Sequence, residues 1–235
     1  MNNQNNDNPI VMELKNIIKI FKSPAGESVV LNNISFTIKK GEFISIVGPS
    51  GSGKSTLLNI IGALDKPTSG EVIINGFNIV SLNESDIAQM RNNLIGYIFQ
   101  SFNLINRTSV QKNIEIPAII MGMNRNVRRY RSQRLLDLLG IKDKGEYQPM
   151  NLSGGQQQRV AIARALINNP TIILADEPRG NLDTKTGKEV FDLLKMLTRK
   201  YKKTIVMVTH NIELALETDK TIFIRDGKIE KEIIN

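Results

Sequence analysis

The sequence predicts an α/β fold with a central parallel sheet, an antiparallel β layer packed on it and an inserted helical lobe. Three observations predict it. The runs Phe43-Ile44-Ser45-Ile46-Val47, Ile172-Ile173-Leu174-Ala175 and Ile205-Val206-Met207-Val208 are nearly continuous and rich in β-branched residues, the pattern of strands covered on both faces. Segments of helical period stand between them, and such alternation argues for a parallel sheet. Ile34, Phe36 and Ile38 instead alternate with Ser35 and Thr37, as in a half-exposed antiparallel strand.

The elements follow in order. Residues 1–10 are Asn-rich, lack the apolar centre of a signal peptide and are expected to form a disordered tail before a domain over 11–235. The run at 43–47 leads into a glycine-rich loop, after which Leu57, Ile60, Ile61 and Leu64 recur at helical spacing. Asn75-Gly76 and Asp226-Gly227 read as hairpin turns. Leu94 to Phe99 is a weaker fourth buried run. Residues 101–152 lack strand patterns and carry a helical stretch with Leu135, Leu136, Leu138 and Leu139, so they read as the inserted lobe. Val190, Leu193, Leu194, Leu197 and Tyr201 restore the helical period before the run at 205–208. There is no internal repeat and no flexible linker.

Composition narrows the chemistry. The chain has no cysteine, which excludes disulfides and thiolate metal sites. No apolar run approaches the ~18 residues that span a membrane. The net charge of +8 is compatible with nucleic acid, anionic lipid or a solvated surface. Its densest stretch, Arg125 to Arg134, contains Arg128, Arg129 and Arg131 and reads as an exposed helix face or as a contact for lipid headgroups or an acidic partner.

The loop Gly48-Pro49-Ser50-Gly51-Ser52-Gly53-Lys54-Ser55-Thr56 has the form G-x-x-x-x-G-K-[ST] and joins a strand to a helix. Its glycines let backbone N–H groups wrap phosphate oxygens. Lys54 supplies a point charge to the β- and γ-phosphates, and Ser55 offers a hydroxyl to Mg²⁺. The fold class is therefore a P-loop NTPase. Each buried run stops at or just before a chemically loaded residue, namely Gly48, Gln100, Asp176 or His210, which places all four on the edge where open α/β sheets bind ligands. Asp176 suits Mg²⁺, and Glu177 can act as general base toward water; the blander alternative is a pair of solvated acids at a strand end. Leu152-Ser153-Gly154-Gly155-Gln156 opens a helix through Val160, Ala163 and Ile167, with Ser153 as N-cap. It is a second anion-binding device, or else an ordinary Gly-containing turn.

With these residues the chain resembles the ATP-binding cassette (ABC) ATPases over about Val11 to Ile229. The resemblance implies a RecA-like core with an antiparallel β layer and a helical lobe. It makes Leu152 to Gln156 the signature motif, which contacts ATP on the P-loop of a second copy, so that two ATP molecules sit in a head-to-tail dimer. Gln100 falls at the Q-loop, which senses Mg²⁺ and reports to a membrane partner. Asn181-Leu182-Asp183 falls at the D-loop, and His210, the single histidine, at the switch position beside the γ-phosphate. Phe21 stands where the family stacks tyrosine on adenine, and its π-face preserves that contact; the alternative is a core aromatic. The implied catalytic set is Glu177, His210, Lys54 and Gln100, with Ser55, Gln100 and Asp176 holding Mg²⁺.

Gln100-Ser101-Phe102-Asn103-Leu104, Asn113-Ile114-Glu115-Ile116-Pro117 and Gly180-Asn181-Leu182-Asp183 are similar to the branch serving lipoprotein release, macrolide export and cell division. This implies an ATPase subunit, peripheral on the cytoplasmic face of the membrane. Its partner is expected to be a separate integral membrane permease, since the sequence stops at Asn235. A variant of this reading gates an envelope hydrolase. A soluble nucleic-acid ATPase is the remaining alternative, and no nucleic-acid partner is expected, because neither a long coiled-coil insertion nor a second cassette is present. Two positions depart from the family. Arg179 replaces the usual threonine, near the expected dimer interface, and Lys112 replaces a common acid in the segment expected to face the permease.

Overall fold

A computed structural model describes residues 8–24 and 26–235. It begins with the antiparallel pair β1 (Ile10–Ser23) and β2 (Gly26–Lys39), followed by β3 (Phe43–Val47), α1 (Lys54–Ile61), β4 (Ser69–Ile74) and β5 (Phe77–Asn78). The chain continues through α2 (Glu84–Leu94), β6 (Ile95–Ile98), α3 (Val110–Ile120), α4 (Arg125–Leu138) and α5 (Gly154–Leu166). It closes with β7 (Ile172–Asp176), α6 (Thr184–Tyr201), β8 (Thr204–Thr209), α7 (Ile212–Ala215), β9 (Lys220–Arg225) and β10 (Lys228–Ile234).

Among the described residues the strands form two sheets. One has the order β2-β1-β4-β5 and is antiparallel; the other has the order β10-β9-β3-β8-β7-β6 and is parallel except for the β10 edge. The pleat sends alternate residues of the parallel sheet to opposite cores. Ile44, Ile46, Ile172, Leu174, Val206 and Val208 face α1 and the antiparallel layer. Phe43, Ile173, Ala175, Ile205 and Met207 face the core built by α3, α5 and α6. Every residue of β3 and β8 is buried, which is why their sequences read as unbroken apolar runs.

The hairpin turns follow from their residues. Asn75 (φ 47°) and Gly76 (φ 83°) join β4 to β5, and Asp226 (φ 48°) and Gly227 (φ 72°) join β9 to β10. Two successive positive φ values define the turn that matches strand twist, and Asn, Asp and Gly tolerate them. The segment between β6 and α5 is helical, with α3 and α4 packed on α5.

Three expectations are corrected. The tail expected over residues 1–10 is corrected at its end: residues 1–7 lie outside the described residues, but the Pro9 carbonyl accepts from the Lys40 N–H at 2.8 Å, and Ile10 is already in β1, opposite Lys39. Leu64 does not extend α1. The helix ends at Ile61, Ala63 adopts a left-handed φ of 51°, and Leu64 is left exposed. The fourth run, Leu94 to Phe99, is a strand only over β6, because Leu94 is the last residue of α2.

β3 is flanked by β8 and β9, and Ile46 is fully buried at its centre. Ile46→Ala is expected to lower stability by about 3 kcal/mol, the cost of a cavity in a site that cannot collapse. A urea-denaturation midpoint equal to that of the wild type would contradict this packing.

Candidate active site

The loop between β3 and α1 takes a shape that its glycines permit. Gly51 (φ 79°) and Gly53 (φ 97°) are left-handed, and a Cβ on Gly48 would collide with the Ile224 carbonyl. Gly53 caps α1 without a side chain, and no acid lies in the first turn of that helix, so its positive dipole end stays uncompensated. Lys54 Nζ donates to the carbonyls of Gly48 and Pro49, each at 2.8 Å, which holds the ammonium over the loop. The buried Ser52 hydroxyl has no hydrogen-bond partner in this arrangement.

A pocket of about 600 Å³ opens here, and Lys54, Ser55, Gln100, Asp176, Glu177 and His210 line it. Ser50, Gly51, Gly53 and Thr56 of the loop also reach it. The groups come from the ends of four neighbouring strands, β3, β6, β7 and β8. Asp176 is the last residue of β7. Glu177 follows at a left-handed φ of 43°, held by its N–H to the Val208 carbonyl at 3.0 Å. Such a backbone is costly for a non-glycine residue and persists only where the surroundings fix it. Glu177 Oε1 lies 3.0 Å from His210 Nδ1. Among the described residues no three His, Cys, Asp or Glu side chains cluster to hold a metal ion. A hydroxyl, an amide and one carboxylate, as in Ser55, Gln100 and Asp176, instead suit a hard cation that takes its remaining ligands from phosphate and water.

The structure leaves the other predicted groups apart from this pocket. Leu152, Ser153, Gly154, Gly155 and Gln156 do not line it. Ser153 and Gln156 close a reciprocal capping box at the start of α5, with Ser153 Oγ accepting from the Gln156 N–H at 3.3 Å and Gln156 Oε1 accepting from the Ser153 N–H at 3.0 Å. Gly154 abuts Leu182 and the Asn181 carbonyl. Asp183 caps α6 by accepting from the Thr186 N–H at 3.0 Å; the Thr186 hydroxyl first, and this N–H second, hold its carboxyl below the usual range. Phe21 is 46% exposed on β1 and stands outside the pocket lining, with Lys19 Nζ 5.1 Å from its ring centre; it is not a core aromatic.

Two contributors escaped the sequence reading. Val30 of β2 lines the pocket, and its carbonyl lies 2.8 Å from where a Cβ on Gly53 would stand. Nothing local marks it, since the contact depends on how the antiparallel layer docks. Arg164 of α5 donates to the carbonyls of Phe102 and Asn103, two left-handed residues just beyond Gln100. Burial pushes its guanidinium pKa down. A lone arginine in the apolar run Val160 to Leu166 was the available signal. The basic stretch is only partly solvated, since Arg128 pairs with the buried Glu115 at 3.0 Å.

Comparison with known proteins agrees with this geometry. Residues 31–180 match the ABC transporter family. An uncharacterized ABC transporter ATP-binding protein of Thermotoga maritima is 49% identical over 220 residues, covering 94% of each chain. A macrolide export ATP-binding/permease protein, MacB of Bartonella henselae, is 49% identical over 221 residues, covering 93% of this chain and 33% of its own. The ATP-binding cassette MJ0796 of Methanocaldococcus jannaschii, in a dimeric post-hydrolysis state bound to ADP and Pi, superposes with a TM-score of 0.87 at 45% identity, covering 95% of this chain and 98% of that one.

Burial first, and the Glu177 carboxylate second, push the Asp176 carboxyl above its ordinary 3.8, while Lys54 opposes them. The folded protein therefore holds this proton more tightly than the unfolded chain. The resulting stability is fully present below 3.8 and is lost as the pH rises through the raised value. In the nucleotide-free protein, Asp176→Asn is expected to raise the urea midpoint at about pH 7.5, with the gain vanishing as the pH falls toward about 4. Equal midpoints at about pH 7.5 would show that the buried charge costs nothing.

Proposed function

The chain belongs to the ABC transporter family, and we propose that it is the ATP-hydrolysing subunit of a membrane transport complex of the exporter or mechanotransmission type. One observation carries the proposal: Lys54, Asp176, Glu177 and His210 converge from separate strands on a single pocket built over a P-loop. The loop Gly48, Pro49, Ser50, Gly51, Ser52, Gly53, Lys54, Ser55 and Thr56 binds the phosphates of ATP through the N–H groups of its non-proline residues, the α1 dipole and the Lys54 charge, while Pro49, which has no N–H, only shapes the loop. Phe21, exposed on β1, stacks on the adenine.

Ser55, Gln100 and Asp176 are the residues that would hold Mg²⁺, which when bound neutralises charge on the transferred phosphoryl group. The unpartnered Ser52 hydroxyl, the left-handed glycines and the acid-free first turn of α1 fit such a phosphate and metal load. Glu177 takes a proton from the attacking water as ATP and water become ADP and phosphate. His210 aligns that carboxylate through the 3.0 Å contact and faces the γ-phosphate. Lys54 neutralises the developing charge on the β–γ bridge.

The signature residues Leu152 to Gln156 sit outside their own pocket. They therefore serve the pocket of a second copy, in a head-to-tail dimer with Asp183 and the rest of the D-loop at the interface. The second partner is an integral membrane permease. The helical lobe supports this reading, because Ile119, Ile120 and Met121 at the end of α3 are exposed beside a groove of about 590 Å³ that Lys112 and Arg129 line. No helix among the described residues is long and apolar enough to cross a membrane. The chain is placed peripherally, on the cytoplasmic face, by this partnership.

Two substitutions separate binding from chemistry. Lys54→Ala is expected to weaken ATP binding, measured by calorimetry, by about two to three orders of magnitude, since the phosphates lose their charged partner. Glu177→Gln is expected to bind ATP normally, lower kcat by about 10²–10⁴ and accumulate an ATP-dependent dimer in size-exclusion chromatography. Undiminished turnover in Glu177→Gln would remove the general-base role. Purified with ATP from detergent-solubilised cells, this variant should carry a polytopic membrane protein; recovery of only soluble partners would overturn the permease.

A further inference from the structure

Arg179 opens the turn that joins β7 to α6, and its side chain reaches past that turn to the helix beyond. Its Nη2 lies 3.5 Å from the Thr184 carbonyl, in the first turn of α6. The three atoms nearest to a Cβ built on Gly187 all belong to the Arg179 guanidinium: Nε at 2.6 Å, Nη2 at 3.2 Å and Cζ at 3.3 Å. The guanidinium thus packs against the backbone of α6 at Gly187, with Nε buried and without a hydrogen-bond partner. A charged group that forgoes a hydrogen bond to occupy this place is held there by packing.

The braced turn touches both halves of the machinery. On one side the Asn181 amide donates to the Gln100 carbonyl at 3.0 Å, and Gly180 lies against the Gln100 side chain. On the other side Leu182 and the Asn181 carbonyl abut Gly154 at the start of α5. The turn is pinned at its base by the Gly180 N–H on the Glu177 carbonyl at 2.9 Å and the Leu182 N–H on the Arg179 carbonyl at 3.0 Å. We infer that Arg179 is a positioning residue that clamps the turn 180–183 onto α6 and so holds Gln100 and the start of α5 in a fixed relation. It acts through Gln100 and Glu177 and touches no substrate atom. The inference rests on the nucleotide reading of the pocket.

The Gly187 contact allows a test that leaves the arginine in place. Arg179→Ala removes the clamp. Gly187→Ala dislodges it, because a methyl group takes the space of Nε, and the same change replaces a helical glycine with the best helix former. Both variants are expected to lower kcat about fivefold while KM for ATP stays within about twofold, because the P-loop is untouched. Both should speed amide hydrogen exchange at residues 180–183, while Gly187→Ala keeps or raises the Tm. In the Arg179→Ala background Gly187→Ala should cost nothing more. Arg179→Lys restores the charge without the planar fork and should not restore kcat. Wild-type kcat and exchange in both variants, independent additive losses in the double variant, or full recovery by Arg179→Lys would each overturn the clamp. A wild-type chain that hydrolyses no ATP would overturn the nucleotide reading and this inference together; an active wild type with indifferent variants overturns the inference alone.

Discussion

β3 is hydrogen-bonded on both sides, to β8 and to β9, and both of its faces are covered. A strand in that position has no free backbone polar group and no free surface except at its ends. The same holds for β8 and for β7 beyond it, which lies between β8 and β6. Whatever chemistry the sheet supports must therefore leave from its carboxyl edge, and the residues that do so are Gly48, Asp176, Glu177 and His210. The apolar strands fix where these groups start, to within the pleat of the sheet. The loops then need only short, local devices to aim them: left-handed glycines after β3, a strained Glu177 after β7 and the Asn211 cap after β8.

The same burial made the parallel sheet legible. Strands hidden on both faces read as unbroken runs, and the two Asn/Asp-Gly turns announce themselves through the positive φ values they must adopt. The antiparallel layer was legible only where its alternation is clean, at Ile34, Phe36 and Ile38. β1 is different. Its pairing with β2 shifts register between Leu14 and Ile17, Asn16 is left-handed, and Gly70 of β4 approaches the Asn16 carbonyl closely. A bulge of that kind breaks the period of two, so a pattern search finds no strand to match. Leu64 shows the converse failure. It fits the helical period of α1, but a left-handed Ala63 ends the helix before it, and periodicity says nothing of backbone handedness.

The site divides along a similar line. The P-loop is contiguous, so its chemistry lies within nine residues of sequence. Asp176 and Glu177 are adjacent, and the run before them marks the strand end. His210 acquires meaning only from the sheet order, which sets β8 beside β7 and brings its ring to Glu177 across 33 residues of chain. Val30 and Arg164 are one step further removed. Each depends on how two layers dock, and no local pattern in the sequence encodes a docking angle. Arg164 is the more informative of the two, because taking a guanidinium partly out of water costs less where carbonyls accept its protons. Here two loop carbonyls beyond Gln100 accept from it, and so the helix that Ser153 caps also holds the loop that follows Gln100.

This arrangement constrains how hydrolysis can be controlled. A single chain presents the loop at 48–56, Glu177 and His210 in one pocket, while the start of α5 lies outside it. The capping box satisfies part of that helix end internally, through Ser153 and Gln156. It leaves the dipole of α5 to act on an outside anion, while the missing side chains of Gly154 and Gly155 let the helix pack closely on Leu182 and Thr186 of its own chain. In the proposed dimer that anion is the ATP held by the other chain, so each pocket is completed by a helix that it does not own. The completing helix is tied to its own chain's Gln100 through Arg164 and through the contact of Gly154 with the 180–183 turn. In the proposed dimer, closure over one ATP would be passed to the other along these packed and hydrogen-bonded contacts.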